Sequence, residues 1–153
     1  MGSYLVERST LVHAPVARVH DRIANFHQWV TWSPWEDLDP ELDRVYSGPD
    51  AGVGARYAWS GNRKAGRGSM EITGDSAEVV ELRLEFLKPF RSTSDVAFVL
   101  TPGASGTEVT WRMQGEQTGL MGVLGKVVPM DRLIGKDLER GLARLKAVCE
   151  ETA

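Results

Sequence analysis

Residues 131–151 read DRLIGKDLERGLARLKAVCEE. Ile134, Leu138, Gly141, Leu142, Leu145, Val148 and Cys149 fall at i, i+4, i+7, i+8, i+11, i+14 and i+15, which is one face of a helix. Lys136, Asp137, Glu139, Arg140, Arg144 and Lys146 occupy the other face. A helix with one apolar stripe draws most of its stability from the surface it packs on. The segments before it must supply that surface.

They read as strands. In 78–88, EVVELRLEFLK, the apolar residues Leu82, Leu84 and Phe86 alternate with Glu81, Arg83 and Glu85, the period of a half-buried strand. Residues 92–101 (STSDVAFVLT) and 107–116 (TEVTWRMQGE) flank the loop PGASG as a hairpin. Upstream, 42–47 (LDRVYS), 55–60 (ARYAWS) and 66–73 (GRGSMEIT) are three shorter strands, with a hairpin marked at Gly61-Asn62 and a turn at Gly74-Asp75. Glycines 52, 54, 61, 66 and 68 are expected where the strands bend. The chain opens with a strand at 3–12, SYLVERSTLV. Pro15 then starts a short helix carrying Val16, Val19, Ile23 and Phe26, and a second short turn of helix follows around 27–30. The order is strand, two short helices, a run of antiparallel strands and one long helix. This is an α+β chain in which a curved sheet of six to seven strands wraps the C-terminal helix.

Composition limits the function. The 153 residues are read as one domain, 1–153, with 42% hydrophobic and 25% charged residues. A net charge of −3 lacks the basic footprint of nucleic-acid binding. The lone cysteine, Cys149, fits a reducing cytoplasm. The N-terminal stretch has no basic, then apolar, leader pattern, and no run approaches the ~20 apolar residues that span a bilayer.

The segment 29–40, WVTWSPWEDLDP, sets Trp29, Trp32 and Trp35 around a Ser-Pro turn. Rings of this size bury against a core or a pocket mouth. Trp32 and Trp35 are read as a plug stiffened by Pro34. His20 and His27 stand seven apart, with no third His, Cys or paired carboxylate at ligand spacing, so no metal is called for. G-A-S-G at 103–106 is a hairpin turn rather than a nucleophile elbow, and Gly66-Arg67-Gly68 precedes no helix that would hold phosphate. Arg63, Lys64 and Arg67 read as a solvated basic hairpin.

These features together resemble the START-like, or SRPBCC, superfamily, and within it the polyketide cyclase/dehydrase-like branch. The resemblance is carried by the opening strand running into Ala14-Pro15, by W-x-x-W-S-P-W with Asp39-Pro40, by GVGARYAWSGN at 52–62 before GRGSMEI, and by GTEVTW at 106–111 before the Gly141-Leu142-Leu145 helix. It spans nearly the whole chain and implies a helix-grip fold with a deep apolar cavity between sheet and helix. Aromatics and methionines sharing one curved face suit an adaptable wall. With the resemblance added, the expected ligand-binding residues are Tyr57, Trp59, Met70, Leu84, Phe86, Ser94, Phe98, Trp111, Met113 and Leu138. Arg8, Ser69, Ser92 and Glu116 are further polar residues in reach.

Three functions follow. The first is a binding protein for a hydrophobic or aromatic small molecule (lipid, polyketide or quinone-like), with no cofactor, acting as a monomer or homodimer. The second is a polyketide cyclase or dehydratase that folds a poly-keto chain and polarises one carbonyl. The third is a protein-interaction module, with GLMGVLGKVV at 119–128 as its apolar patch; under the first reading the same glycine-broken segment is either a lid or a fixed packing helix whose glycines permit close approach to the sheet.

Overall fold

A computed structural model describes residues 2–35, 39–62, 65–88, 91–117 and 130–151. Strand β1 (Gly2–Val12) leads into helix α1 (Val16–Ala24) and a 3-10 turn (Phe26–Thr31). Strands β2 (Asp43–Ser47), β3 (Arg56–Ser60), β4 (Arg67–Asp75), β5 (Val79–Lys88), β6 (Ser92–Gly103) and β7 (Gly106–Gln117) follow, and helix α2 (Met130–Glu151) ends the described chain. All seven strands form one open, curved antiparallel sheet in the order β1-β7-β6-β5-β4-β3-β2. The meander from β2 to β7 needs only short connections, and β1 closes its far side by pairing with β7. The strand and helix periods predict this curved sheet on a C-terminal helix, and it is consistent with the helix-grip that the resemblance implies.

Strand alternation sets which face is concave. In β6, Ser94, Val96, Phe98 and Leu100 are buried while Thr93 and Asp95 are not. In β5, Leu82 and Leu84 are buried between exposed Glu81 and Arg83. Helix α2 lies against β1 and β7 and buries Leu138, Leu142, Leu145 and Cys149. Its polar flank fastens it to the edge strand. Arg8 Nε meets Glu139 Oε2 at 2.8 Å, and Lys146 Nζ donates to Leu11 O at 2.7 Å, covering a carbonyl of β1.

The tryptophan segment has a structural task beyond filling space. A helix leaves its last carbonyls without internal partners. At the end of α1, Trp32 Nε1 donates to Arg22 O and Trp29 Nε1 to Ile23 O, both at 2.9 Å, and Gly52 N–H donates to Ala24 O at 3.1 Å. Two buried indoles therefore cap the helix they follow. Asn25 Oδ1 accepts the His27 N–H and starts the 3-10 turn.

Three local expectations shift. Pro15 is the N-cap of α1 rather than its first residue, and its carbonyl accepts from Arg18 and Val19. Gly74 is not in the turn after β4. It lies inside β4, where the register with β5 shifts between Ile72 and Gly74, and the turn comes at 76–78, where Ser76 N–H bonds Val79 O. Of the five glycines expected at bends, only Gly68 lies in a strand, beside a register shift; the others sit in connections. The segment 119–128 and the pair Arg63-Lys64 lie outside the described residues.

Gly141 faces Trp111 of β7 and the Pro34 ring. A Cβ there would stand 2.7 Å from Trp111 Cζ3 and 2.8 Å from Pro34 Cδ, both parts of rigid rings. Gly141→Ala is expected to destabilise the protein, although the exchange alone favours a helix by about 0.8–1.0 kcal/mol. Leu138→Ala and Leu142→Ala, at fully or nearly fully buried positions, are expected to cost about 2–5 kcal/mol each. Denaturant midpoints check all three; a rise for Gly141→Ala would show that α2 is not seated on Trp111.

Candidate functional site

Among the described residues, the concave face is filled along one half and open along the other. Over β6 and β7, Phe98 stacks on Trp111 with centroids 4.8 Å apart, and Trp32 meets both rings edge-on at 5.9 and 5.6 Å. Trp29 adds edge contacts to the same pair. Among the described residues no comparable plug covers β3 to β5. There a cavity of about 200 Å³ remains, bounded by the strands, by the turn after the 3-10 helix and by α2.

Five of the ten expected ligand-binding residues line this cavity: Tyr57 and Trp59 from β3, Met70 from β4, Leu84 and Phe86 from β5. The other five sit elsewhere on the face. Phe98, Trp111 and Leu138 are fully buried in the plugged half, and Met113 is nearly so. Ser94 is buried with its hydroxyl bonded to the Tyr4 phenol. Ser33, Trp35, Leu42, Ala65 and Asp137 also line the cavity. Asp137 was legible as a flank of the apolar stripe, three residues after Ile134 and four before Gly141. Ser33, Leu42 and Ala65 lie in connections, where no period marks a face.

Each wall is tied in place. Trp59 lies over Gly68: a Cβ at Gly68 would come 2.7 Å from Trp59 Cη2 and would clash with the Glu85 carbonyl oxygen. Trp59 Nε1 donates to Ala65 O at 2.9 Å, and its ring meets Phe86 edge-on at 5.4 Å. Across the cavity, Trp35 Nε1 donates to Asp137 Oδ2 at 3.2 Å and its ring abuts Trp111 at 5.5 Å. Helix α2 pins the turn beneath Trp35, with Arg144 Nη1 donating to Ser33 O and Arg140 Nη2 to Pro34 O. Trp32 is thus the plug expected of it, whereas Trp35 forms the cavity rim.

The remaining polar candidates are placed away from the lining. Arg8 reaches across Gly135 of α2 to Glu139. Ser69 alternates with Met70 and takes the opposite face, and Ser92 pairs with Phe86 near the sheet end. The side chain of Glu116 is outside the described residues. His20 and His27 belong to different elements and share no face: His20 Nε2 lies 2.6 Å from Asp75 Oδ1, and the His27 ring stacks on Tyr46 at 4.0 Å. Among the described residues no three metal-ligating side chains gather, and no helix is long and apolar enough to cross a membrane.

With fold and cavity in place, comparison with known proteins gives the family. The model for polyketide cyclase / dehydrase and lipid transport proteins matches residues 4–150, and the chain belongs to that family. No curated protein sequence matches it. Among solved structures, a Nitrosospira multiformis protein is similar at 25% identity over 95% of this chain and 96% of its own, with a TM-score of 0.65. A Chromobacterium violaceum protein is similar at 14% identity over 95% and 96%, TM-score 0.68. The di-domain ARO/CYC StfQ of the steffimycin biosynthetic pathway is similar at 12% identity over 99% of this chain and 52% of its own, TM-score 0.71.

Two acids, the buried Cys149 and the partly buried Tyr4, make the structure sensitive to alkali. Burial pushes the Cys149 thiol from 9.0 up to about 11. Burial also raises the Tyr4 phenol above 10.0, partly opposed by its bond to Ser94. In both cases the folded state holds its proton longer than the unfolded state does. Their contribution is therefore complete below the unfolded values and is lost as pH rises through the folded ones. The thermal midpoint is expected to fall between pH 9 and about 11. Cys149→Ala should remove the early part of that fall and Tyr4→Phe the later part. A midpoint flat across this range would contradict the burial of both groups.

Proposed function

We propose that the chain is a single ligand-binding domain, 1–153, that takes a hydrophobic or aromatic small molecule into the cavity between β3–β5 and α2. The supporting observation is the cavity itself. Tyr57, Trp59, Met70, Leu84 and Phe86 surround empty space, whereas the adjoining half of the same face is packed with indoles. A predominantly apolar hollow with few polar groups is the ordinary form of a small-molecule site. A lipid, a polyketide or a quinone-like compound meets that description. Binding is a better reading than ring closure, because the described lining holds one carboxylate, Asp137, and no second carboxylate, Lys, Arg or His to work with it as an acid–base pair. It is also better than an interaction module, for which the face would be filled. The domain is proposed to act in the cytoplasm as a monomer or homodimer, without cofactor, nucleic acid or membrane insertion.

Nile red, an uncharged apolar dye, tests this reading. It is expected to bind saturably at one site and to quench intrinsic emission, since Trp35 and Trp59 both line the cavity. Trp59→Phe should lose much of that quench. Absence of saturable binding, or binding that leaves tryptophan emission unchanged, would overturn the proposal.

A further inference from the structure

Among the described residues lining the cavity, one carries a formal charge, and that charge is negative: the Asp137 carboxylate. No Lys, Arg or His joins it among those lining residues. Arg140 approaches Asp137 from outside, with Nη2 3.4 Å from Oδ1, and the same nitrogen donates to Pro34 O at 3.1 Å. The Arg140 side chain is 48% exposed, so the long contact is open to solvent and offsets the carboxylate only weakly.

The two indoles of the wall offer no free donor to an anion. The Trp59 N–H is taken by Ala65 O and the Trp35 N–H by Asp137 Oδ2. Both N–H donors are thus engaged within the protein, and neither is offered to an anionic occupant. A carboxylate or phosphate head group entering here meets repulsion and no cationic partner among the described lining residues. An organic ammonium meets a lining that holds Trp35, Tyr57, Trp59 and Phe86, side chains that attract cations, tryptophan most strongly, with a carboxylate as counter-ion.

We propose that the ligand of this cavity carries a cationic head group, an alkylated ammonium, seated between Trp35, Trp59 and Asp137. The inference rests on the apolar-ligand reading and adds the charge of the head. A cavity of about 200 Å³ suits a compact head of this kind.

Three probes of equal chain length separate the possibilities: octyltrimethylammonium, octanol and octanoate, each titrated into the full chain by calorimetry and tryptophan fluorescence. The cation is expected to bind at least about tenfold more tightly than octanol, a ratio equivalent to about 1.4 kcal/mol, and octanoate more weakly than either. In Asp137→Asn the ratio of cation to octanol affinity should fall toward one. Asp137→Glu, which keeps the charge, should restore most of it. Equal affinity for cation and octanol, or a preference for octanoate, overturns the charge assignment and leaves the apolar-ligand reading standing. Saturable binding by none of the three overturns both. A cation preference that survives Asp137→Asn overturns the role given to the carboxylate. Should that variant fail to fold, the wild-type order of the three probes decides alone.

Discussion

The structure depends on how Trp111 is enclosed. Its ring stacks on Phe98, takes edges from Trp29, Trp32 and Trp35, and receives the backbone of α2 at Gly141. Sheet, helix and tryptophan segment have this one ring in common. Aromatic pairs in edge and offset geometry add to the area they bury, and here four other rings share one partner. The Trp111 Nε1 is buried and finds no acceptor among the described residues. Leaving such a group unpaired costs about 1–3 kcal/mol, so the ring is kept for its contact area and shape rather than for its donor.

That enclosure also decides where empty space remains. Trp29 and Trp32 are drawn toward β6 and β7 because their N–H groups must reach the carbonyls at the end of α1. Once held there they cannot cover β3 to β5. Trp35, beyond the stiff Ser33-Pro34 turn, is carried to the boundary, with one side against Trp111 and the other facing the cavity. The cavity is thus a consequence of capping: the same hydrogen bonds that end a helix prevent the rings from filling the whole face. Close packing of that half would add dispersion attraction and stabilise the fold further, and the site exists at that expense.

Much of this was legible in the sequence. The period-two run Leu82, Leu84, Phe86 and the helical stripe Ile134 to Cys149 fix strand faces and helix face, since each is a local repeat. Half of the expected site residues, those on β3 to β5, do line the cavity. Phe98, Trp111, Met113 and Leu138 also face inward and do not line it. Periodicity says which face a side chain takes; it does not say which part of that face another segment will cover. That depends on where Trp29 and Trp32 land, which is set by two indole hydrogen bonds with no sequence period. Tyr4 escapes sequence reading for a related reason. Its hydroxyl finds Ser94 across Gly115, an arrangement created by the pairing of β1 with β7.

Two glycines show how closely site and core are built from one device. Gly141 admits Trp111 to the backbone of α2, and Gly68 admits Trp59 to the backbone of β4. In each case a missing side chain lets a large ring come close against the chain, where a Cβ would push it away. The two results differ because the neighbourhoods differ. Around Trp111 four other rings close in, and the indole becomes core. Around Trp59 the approaching rings are Phe86 and Tyr57, its N–H is bound to the neighbouring loop at Ala65, and the ring is held open as a wall. One device thus gives filled core at one end of the sheet and a braced cavity wall at the other, according to what else can approach the ring.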